Sequence, residues 1–193
     1  MAACDSVIIV IAMKEEAMPL VDHFQLERLE PSRFIQGSPM VAWYGEVAGP
    51  VRLHVVWCGY DERFGVNNVA TTAAAVSTYA AIAAFGKPSL LLSAAAGLKQ
   101  ERRDLLVYKI LASEMECAAV AWVCDNLGVP FAAVKSITDI VDGEKATRAE
   151  FESNLHMASC ALQERLTDRL GVRLHYPWRD QIVCPAKALQ TAN

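Results

Sequence analysis

The run Ser6 to Met13, S-V-I-I-V-I-A-M, is continuous, apolar and rich in β-branched residues. A strand with one face in water alternates apolar and polar positions. An unbroken apolar run instead predicts a strand buried on both faces, in a sheet covered by helices on each side. Similar runs recur at Val51 to Cys58, Ser89 to Leu92 and Phe131 to Val134, with helical patterns between them. That alternation predicts an α/β chain with a largely parallel sheet. With 193 residues, of which 53% are hydrophobic and 21% charged, the chain is long enough for one domain with a substantial core.

The helical segments have their own signatures. Lys14 to Val21 is acidic at its start and then apolar at helical spacing. Glu15 and Glu16 suit the positive end of a helix dipole, and also suit a carboxylate aimed over the end of the first strand. Val69 to Phe85 is rich in Ala, Ser and Thr, as a helix packed closely on a sheet is. Glu114 to Leu127 predicts a helix that places Glu114 and Glu116 in its first turn and ends at Gly128. In Thr147 to Leu170 the stripe Phe151, Leu155, Ala158, Leu162 and Leu166 recurs at spacings of three and four, and Gly171 closes it. Val41 to Tyr44 and Val51 to Cys58 pair as a hairpin in which His54 reads as structural. Gly59 to Asn68 reads as a polar loop whose Asn67 or Asn68 caps the next helix. Leu105 to Leu111 is a short strand or helix. Residues 172–193 have no periodicity and read as an irregular tail after a domain spanning 1–171.

Several function classes are excluded. The net charge is −4 and there is no block of Lys or Arg, which argues against nucleic acid or an anionic membrane as a partner. Val7 to Met13 is too short for a signal or a span, and Gly86-Lys87-Pro88 breaks the apolar stretch from Tyr79 to Leu98. The six cysteines are scattered singly without C-x-x-C, which predicts reduced thiols of a cytoplasmic protein and no metal site. Dinucleotide, Walker and G-x-S-x-G fingerprints are absent, which disfavours dehydrogenases, nucleotide hydrolases and serine hydrolases.

The chemistry concentrates at Pro130 to Ala146, P-F-A-A-V-K-S-I-T-D-I-V-D-G-E-K-A. A buried strand, Phe131 to Val134, is expected to open into a polar loop carrying Lys135, Thr138 and Asp139. Open α/β sheets place their ligands at such carboxyl ends. A carboxylate there serves as a general acid or as a hydrogen-bond partner; alternatively, Asp139 caps the next turn of a solvated loop.

Three stretches occur in a telling order: V-I-I-V-I-A-M-K-E-E-A-M-P-L at 7–20, E-M-E-C-A-A-V-A at 114–121, and V-K-S-I-T-D-I-V-D-G-E-K-A-T-R-A-E-F at 134–151. Together they resemble the plant-type 5′-methylthioadenosine/S-adenosylhomocysteine nucleosidases of the purine nucleoside phosphorylase superfamily. The resemblance implies a single three-layer α/β/α domain with a mixed, largely parallel, nucleoside phosphorylase-like sheet. It also implies hydrolysis of the bond between ribose and adenine in methionine salvage, giving adenine and the thioribose, without metal or organic cofactor. Adenine leaves poorly as an anion, so one carboxyl must protonate it while a second carboxylate activates water on the opposite face of the sugar. By the resemblance Asp139 is the acid and Glu16 the base. Lys135 holds the water and Glu16, Glu116 grips the ribose hydroxyls, Met13 and Met115 line the substrate, and Thr138 lies at the adenine. The acidic start replaces the phosphate-binding G-D-P of the phosphorylases, which favours hydrolysis. Family members are homodimers in which the partner covers the alkylthio pocket.

This chain departs from the pattern in three places. S-A-A-A-G-L-K-Q stands where the family has a glycine-rich turn. Only Gln100 to Ser113 spans a gap that in the family holds further strands and partner contacts, so the domain is shortened near 98–113 and its sheet reduced in strand number. Cys117 replaces the Gly that follows the ribose-binding Glu. A relative that binds nucleosides without cleaving them, or a phosphate-dependent phosphorylase, is the alternative reading.

Overall fold

Burial along the first strand alternates between two cores, as a strand covered on both faces requires. The computed structural model describes residues 5–30, 33–47, 51–100, 115–141 and 147–171. Strand β1 (Ser6–Ile11) sends Val7, Ile9 and Ile11 into one apolar cluster and Ile8 and Val10 into the other. The first cluster is closed by helix α1 (Lys14–His23), through Ala17, Leu20 and Val21, and by helix α4 (Thr147–Gly171), through Leu162 and Leu166. The second is closed by α2 (Ala70–Phe85), through Ala74, Ala81 and Ile82, and α3 (Cys117–Leu127), through Val120, Val123 and Cys124. The result is three layers, helices on each side of a sheet.

The remaining strands are β2 (Glu27–Arg28), β3 (Val41–Val47), β4 (Val51–Trp57), β5 (Tyr60–Asp61), β6 (Val66–Asn67), β7 (Leu90–Gln100) and β8 (Phe131–Val141). The main sheet has six strands in the order β2-β3-β4-β1-β7-β8. β4, β1, β7 and β8 run parallel, while at one side β3 pairs antiparallel with β4 and β2 antiparallel with β3. The mixed, largely parallel sheet and the hairpin of β3 and β4 agree with the sequence reading. Among the described residues no helix is long and apolar enough to cross a membrane.

Four local expectations need correction. β7 does not stop at Leu92 but continues through the small residues Ser93 to Gly97 as far as Gln100. β8 likewise does not open into a loop after Val134; Lys135, Thr138 and Asp139 lie on the strand itself. The two extensions have one cause: each strand supplies the other's backbone partners, from Leu91 opposite Phe131 to Gln100 opposite Val141, and Ile137, Thr138, Ile140 and Val141 are β-branched. α3 begins at Cys117 rather than Glu114, which makes Glu116 its N-cap residue instead of a first-turn residue; Gly128 ends it in the left-handed region at φ 62°. Gly59 to Asn68 is no open loop, because β5 and β6 pair in a small hairpin. The segment at 105–111, the acids Asp142 and Glu144, and the tail at 172–193 lie outside the described residues.

Candidate active site

The carboxyl ends of the four parallel strands converge on one edge of the sheet. Val56 of β4, Val10 of β1, Ser93 of β7 and Ala133 of β8 share one row across it. Beyond that row β1 passes through Met13 into α1, and β4 passes through Cys58 into the β5–β6 hairpin. Along β8, Lys135 stands two residues past the row, opposite Ala95 and partly buried, and Asp139 six residues past it, about 20 Å of extended chain.

The register of β7 and β8 breaks there. Gly97 is opposite Ile137, yet Lys99 is opposite Ile140, so β8 spends one residue more than β7 over the same length. The extra residue falls within Thr138-Asp139, two of the residues singled out from sequence. Bulges are rare in parallel pairs and concentrate beside active sites, where they re-aim a strand. No pattern in the sequence signals this one.

Glu16 is 98% buried in the first turn of α1, since only 2% of its surface is exposed. Its Oε2 accepts the backbone N–H of Met13 at 3.2 Å, which satisfies one of the donors left open at a helix start. Met13 is partly buried in the same turn. Glu116 is reached from another direction. Its Oε1 accepts the N–H of Ala70 at 2.7 Å, so this carboxylate closes the start of α2, the helix expected to be capped by Asn67 or Asn68. Ala70 holds φ at +71°, a strained backbone for a residue with a Cβ, and the Glu116 bond sits on that residue. Met115, beside Glu116, is exposed.

Cys58 joins the two carboxylates. Burial raises its thiol to about 11, a hydrogen bond with Ser77 acts the other way, and the charges of Glu116 and then Glu16 raise it further. The structure thus brings Glu16, Glu116 and Met13 together around the end of β4. Cys58 and Ser77 were not singled out from sequence, because a lone buried Cys and a Ser in an Ala-rich helix look like ordinary core.

Asn67 does not cap α2, whose N-cap residue is Val69. Its Oδ1 accepts both the backbone N–H of Lys14 at 3.2 Å and the Nε1–H of Trp57 at 3.0 Å, and its Nδ2 donates to Glu15 Oε2 at 3.1 Å. Asn68 turns back instead, donating from Nδ2 to the Cys58 carbonyl at 3.3 Å. Lys14 Nζ lies 5.8 Å from the centre of the Trp57 ring. Glu15 is accordingly a structural partner, while Glu16 is the buried carboxyl of the turn.

A three-layer sheet with the buried Glu16 at the carboxyl ends of its parallel strands carries its candidate site where open α/β sheets place their ligands. The family model of the phosphorylase superfamily matches residues 98–170. It is 29% identical over 227 aligned positions to the 5′-methylthioadenosine nucleosidase of Arabidopsis thaliana, covering 84% of this chain and 85% of the relative. A second Arabidopsis thaliana relative, 5′-methylthioadenosine/S-adenosylhomocysteine nucleosidase, is 25% identical over 228 positions, covering 84% and 89%. The solved structure of the Arabidopsis thaliana 5′-methylthioadenosine nucleosidase superposes with a TM-score of 0.82 at 25% identity, over 93% of this chain and 100% of that one.

Proposed function

We propose that this chain hydrolyses the N-glycosidic bond of 5′-methylthioadenosine, releasing adenine and the thioribose by general acid–base catalysis. The observation that carries the reading is the buried carboxylate of Glu16, held over the carboxyl ends of the parallel strands. Glu16 acts as the base that draws a proton from water, and Lys135 orients that water. Asp139 protonates the departing adenine, with Thr138 beside it. Glu116 holds the ribose hydroxyls with the carboxylate oxygen that Ala70 does not occupy, and Met13 and Met115 line the sugar and its 5′ substituent. The bulge at Thr138-Asp139 supports this assignment, since a break in register at a strand end re-aims the residues within it.

The relatives named for methylthioadenosine cleavage support the substrate, and the acidic turn at Glu15-Glu16 supports hydrolysis over phosphorolysis. An alignment of 227 positions for a chain of 193 residues supports the reading that a segment is shortened between 98 and 113. A homodimer fits the face made by α2 and α3. Val76 and Tyr79 on α2 and Trp122 on α3 are 56%, 61% and 66% exposed and offer apolar side chains to a second copy.

The assignment is tested by Glu16→Gln and Asp139→Asn. Each is expected to lower adenine release by about 10²–10⁴, the contribution of a positioned acid or base. Unchanged release from either variant would remove that residue from the mechanism.

A further inference from the structure

Two consecutive backbone donors open the turn that carries Glu16, and different groups hold them. Met13 N–H is taken by Glu16 itself, and Lys14 N–H by Asn67, which comes from a part of the chain 53 residues away. The same Asn67 oxygen takes the Trp57 indole N–H at the end of β4, and the Asn67 nitrogen donates to Glu15. Asn67 uses three bonds to tie the β5–β6 hairpin, the end of β4 and the first turn of α1 into one unit. The hairpin is itself fixed: Asn67 pairs with Tyr60, Asn68 N–H bonds the Gly59 carbonyl at 2.9 Å, and Gly59 is pressed against the Pro39 backbone. A helix start held on both sides in this way cannot rotate about Met13 without breaking at least one bond.

We propose that Asn67 is a positioning residue for the reaction: it pins the start of α1 to the end of β4 and so fixes the Glu16 carboxylate where the attacking water must be met. The proposal rests on the reading of Glu16 as the base. Misplacing a catalytic group by about 1 Å costs on the order of a hundredfold, so loss of this anchor falls on turnover. A defect that misplaces the base without touching the substrate lowers kcat and leaves KM nearly unchanged.

The polarity of the bond between Asn67 and Glu15 allows a test by exchange. Asn67→Asp keeps an oxygen for Lys14 and Trp57 but sets a second carboxylate against Glu15. Its kcat is expected to fall about 10- to 100-fold, with KM nearly unchanged. Glu15→Gln alone retains an acceptor for Asn67 and is expected to behave as the wild type. The double variant Asn67→Asp/Glu15→Gln reverses donor and acceptor, and is expected to recover most of the lost kcat. Full kcat in Asn67→Asp, or a double variant no better than Asn67→Asp, overturns the proposal.

A second readout does not depend on turnover. In Asn67→Ala the Lys14 amide is expected to exchange with solvent faster, and the Trp57 indole proton resonance to move; an unchanged pair of signals overturns the anchor. If Glu16→Gln turns over normally, the reading of Glu16 as the base has failed instead, whatever these two signals show.

Discussion

Replacing His54 by Phe tests how the sheet tolerates a titratable ring in its core. His54 lies on β4 opposite Tyr44 of β3, its ring 4.9 Å from the Tyr44 ring and stacked on Phe85 at 4.3 Å. Its Nδ1 is buried and has no hydrogen-bond partner among the described residues. Burial, with a smaller contribution from the Arg52 charge, depresses the imidazole from 6.5 to about 4. Between those two values the unfolded chain binds a proton that the folded chain refuses, so stability falls as pH drops from 6.5 towards 4 and is unaffected by this group above 6.5. At full strength such a shift amounts to roughly 3 kcal/mol; the ring is only half-buried, so screening by solvent reduces it to about 1–2 kcal/mol. Urea unfolding of the wild type and His54→Phe at pH 7.5 and pH 4.5 measures the difference directly. Carboxylates such as Asp5 and Asp61, whose partners hold them below the usual range, lose their contribution only as pH falls towards and below 3.8, and do so equally in both proteins. His54→Phe is expected to lose about 1–2 kcal/mol less than the wild type. Equal losses would refute the idea that this histidine is held neutral by the fold.

Two further outcomes follow from the packing. Gly59 has φ at +89°, and a Cβ there would sit 1.9 Å from the Pro39 carbonyl oxygen. Gly59→Ala should therefore cost at least about 2 kcal/mol, read as a drop in Tm of about 4–8 °C. If a second copy covers the α2/α3 face, Trp122→Glu should shift sedimentation from dimer to monomer while leaving the circular dichroism spectrum unchanged; a monomeric wild type would contradict the dimer.

The elements that depend on local pattern were legible in the sequence. The unbroken run at Ser6 to Met13 predicts a doubly covered strand because every position there must avoid water, and Val7 to Ile11 are all buried. The stripe on α4 was legible for the same reason: Ala158, Leu162 and Leu166 are buried at the predicted spacing. Interactions between distant segments were not. β7 and β8 outrun their apolar cores because each lends the other its backbone partners, and neither segment alone carries that information. The same holds for the bulge at Thr138-Asp139, which exists only as a mismatch between two strands. Asn67 and Asn68 look like helix caps locally, yet Asn67 is spent on Lys14, Trp57 and Glu15, and the start of α2 falls to Glu116. Glu16 was legible as a candidate; its isolation from water, which separates it from Glu15, was not.

Cleavage of a nucleoside by water, unlike phosphorolysis, needs no phosphate. Purified protein incubated with 5′-methylthioadenosine, in buffers with and without inorganic phosphate, should release free adenine at the same rate in both, followed by chromatography. Release only when phosphate is present would make the protein a phosphorylase, and no release from folded protein in either buffer would contradict the account.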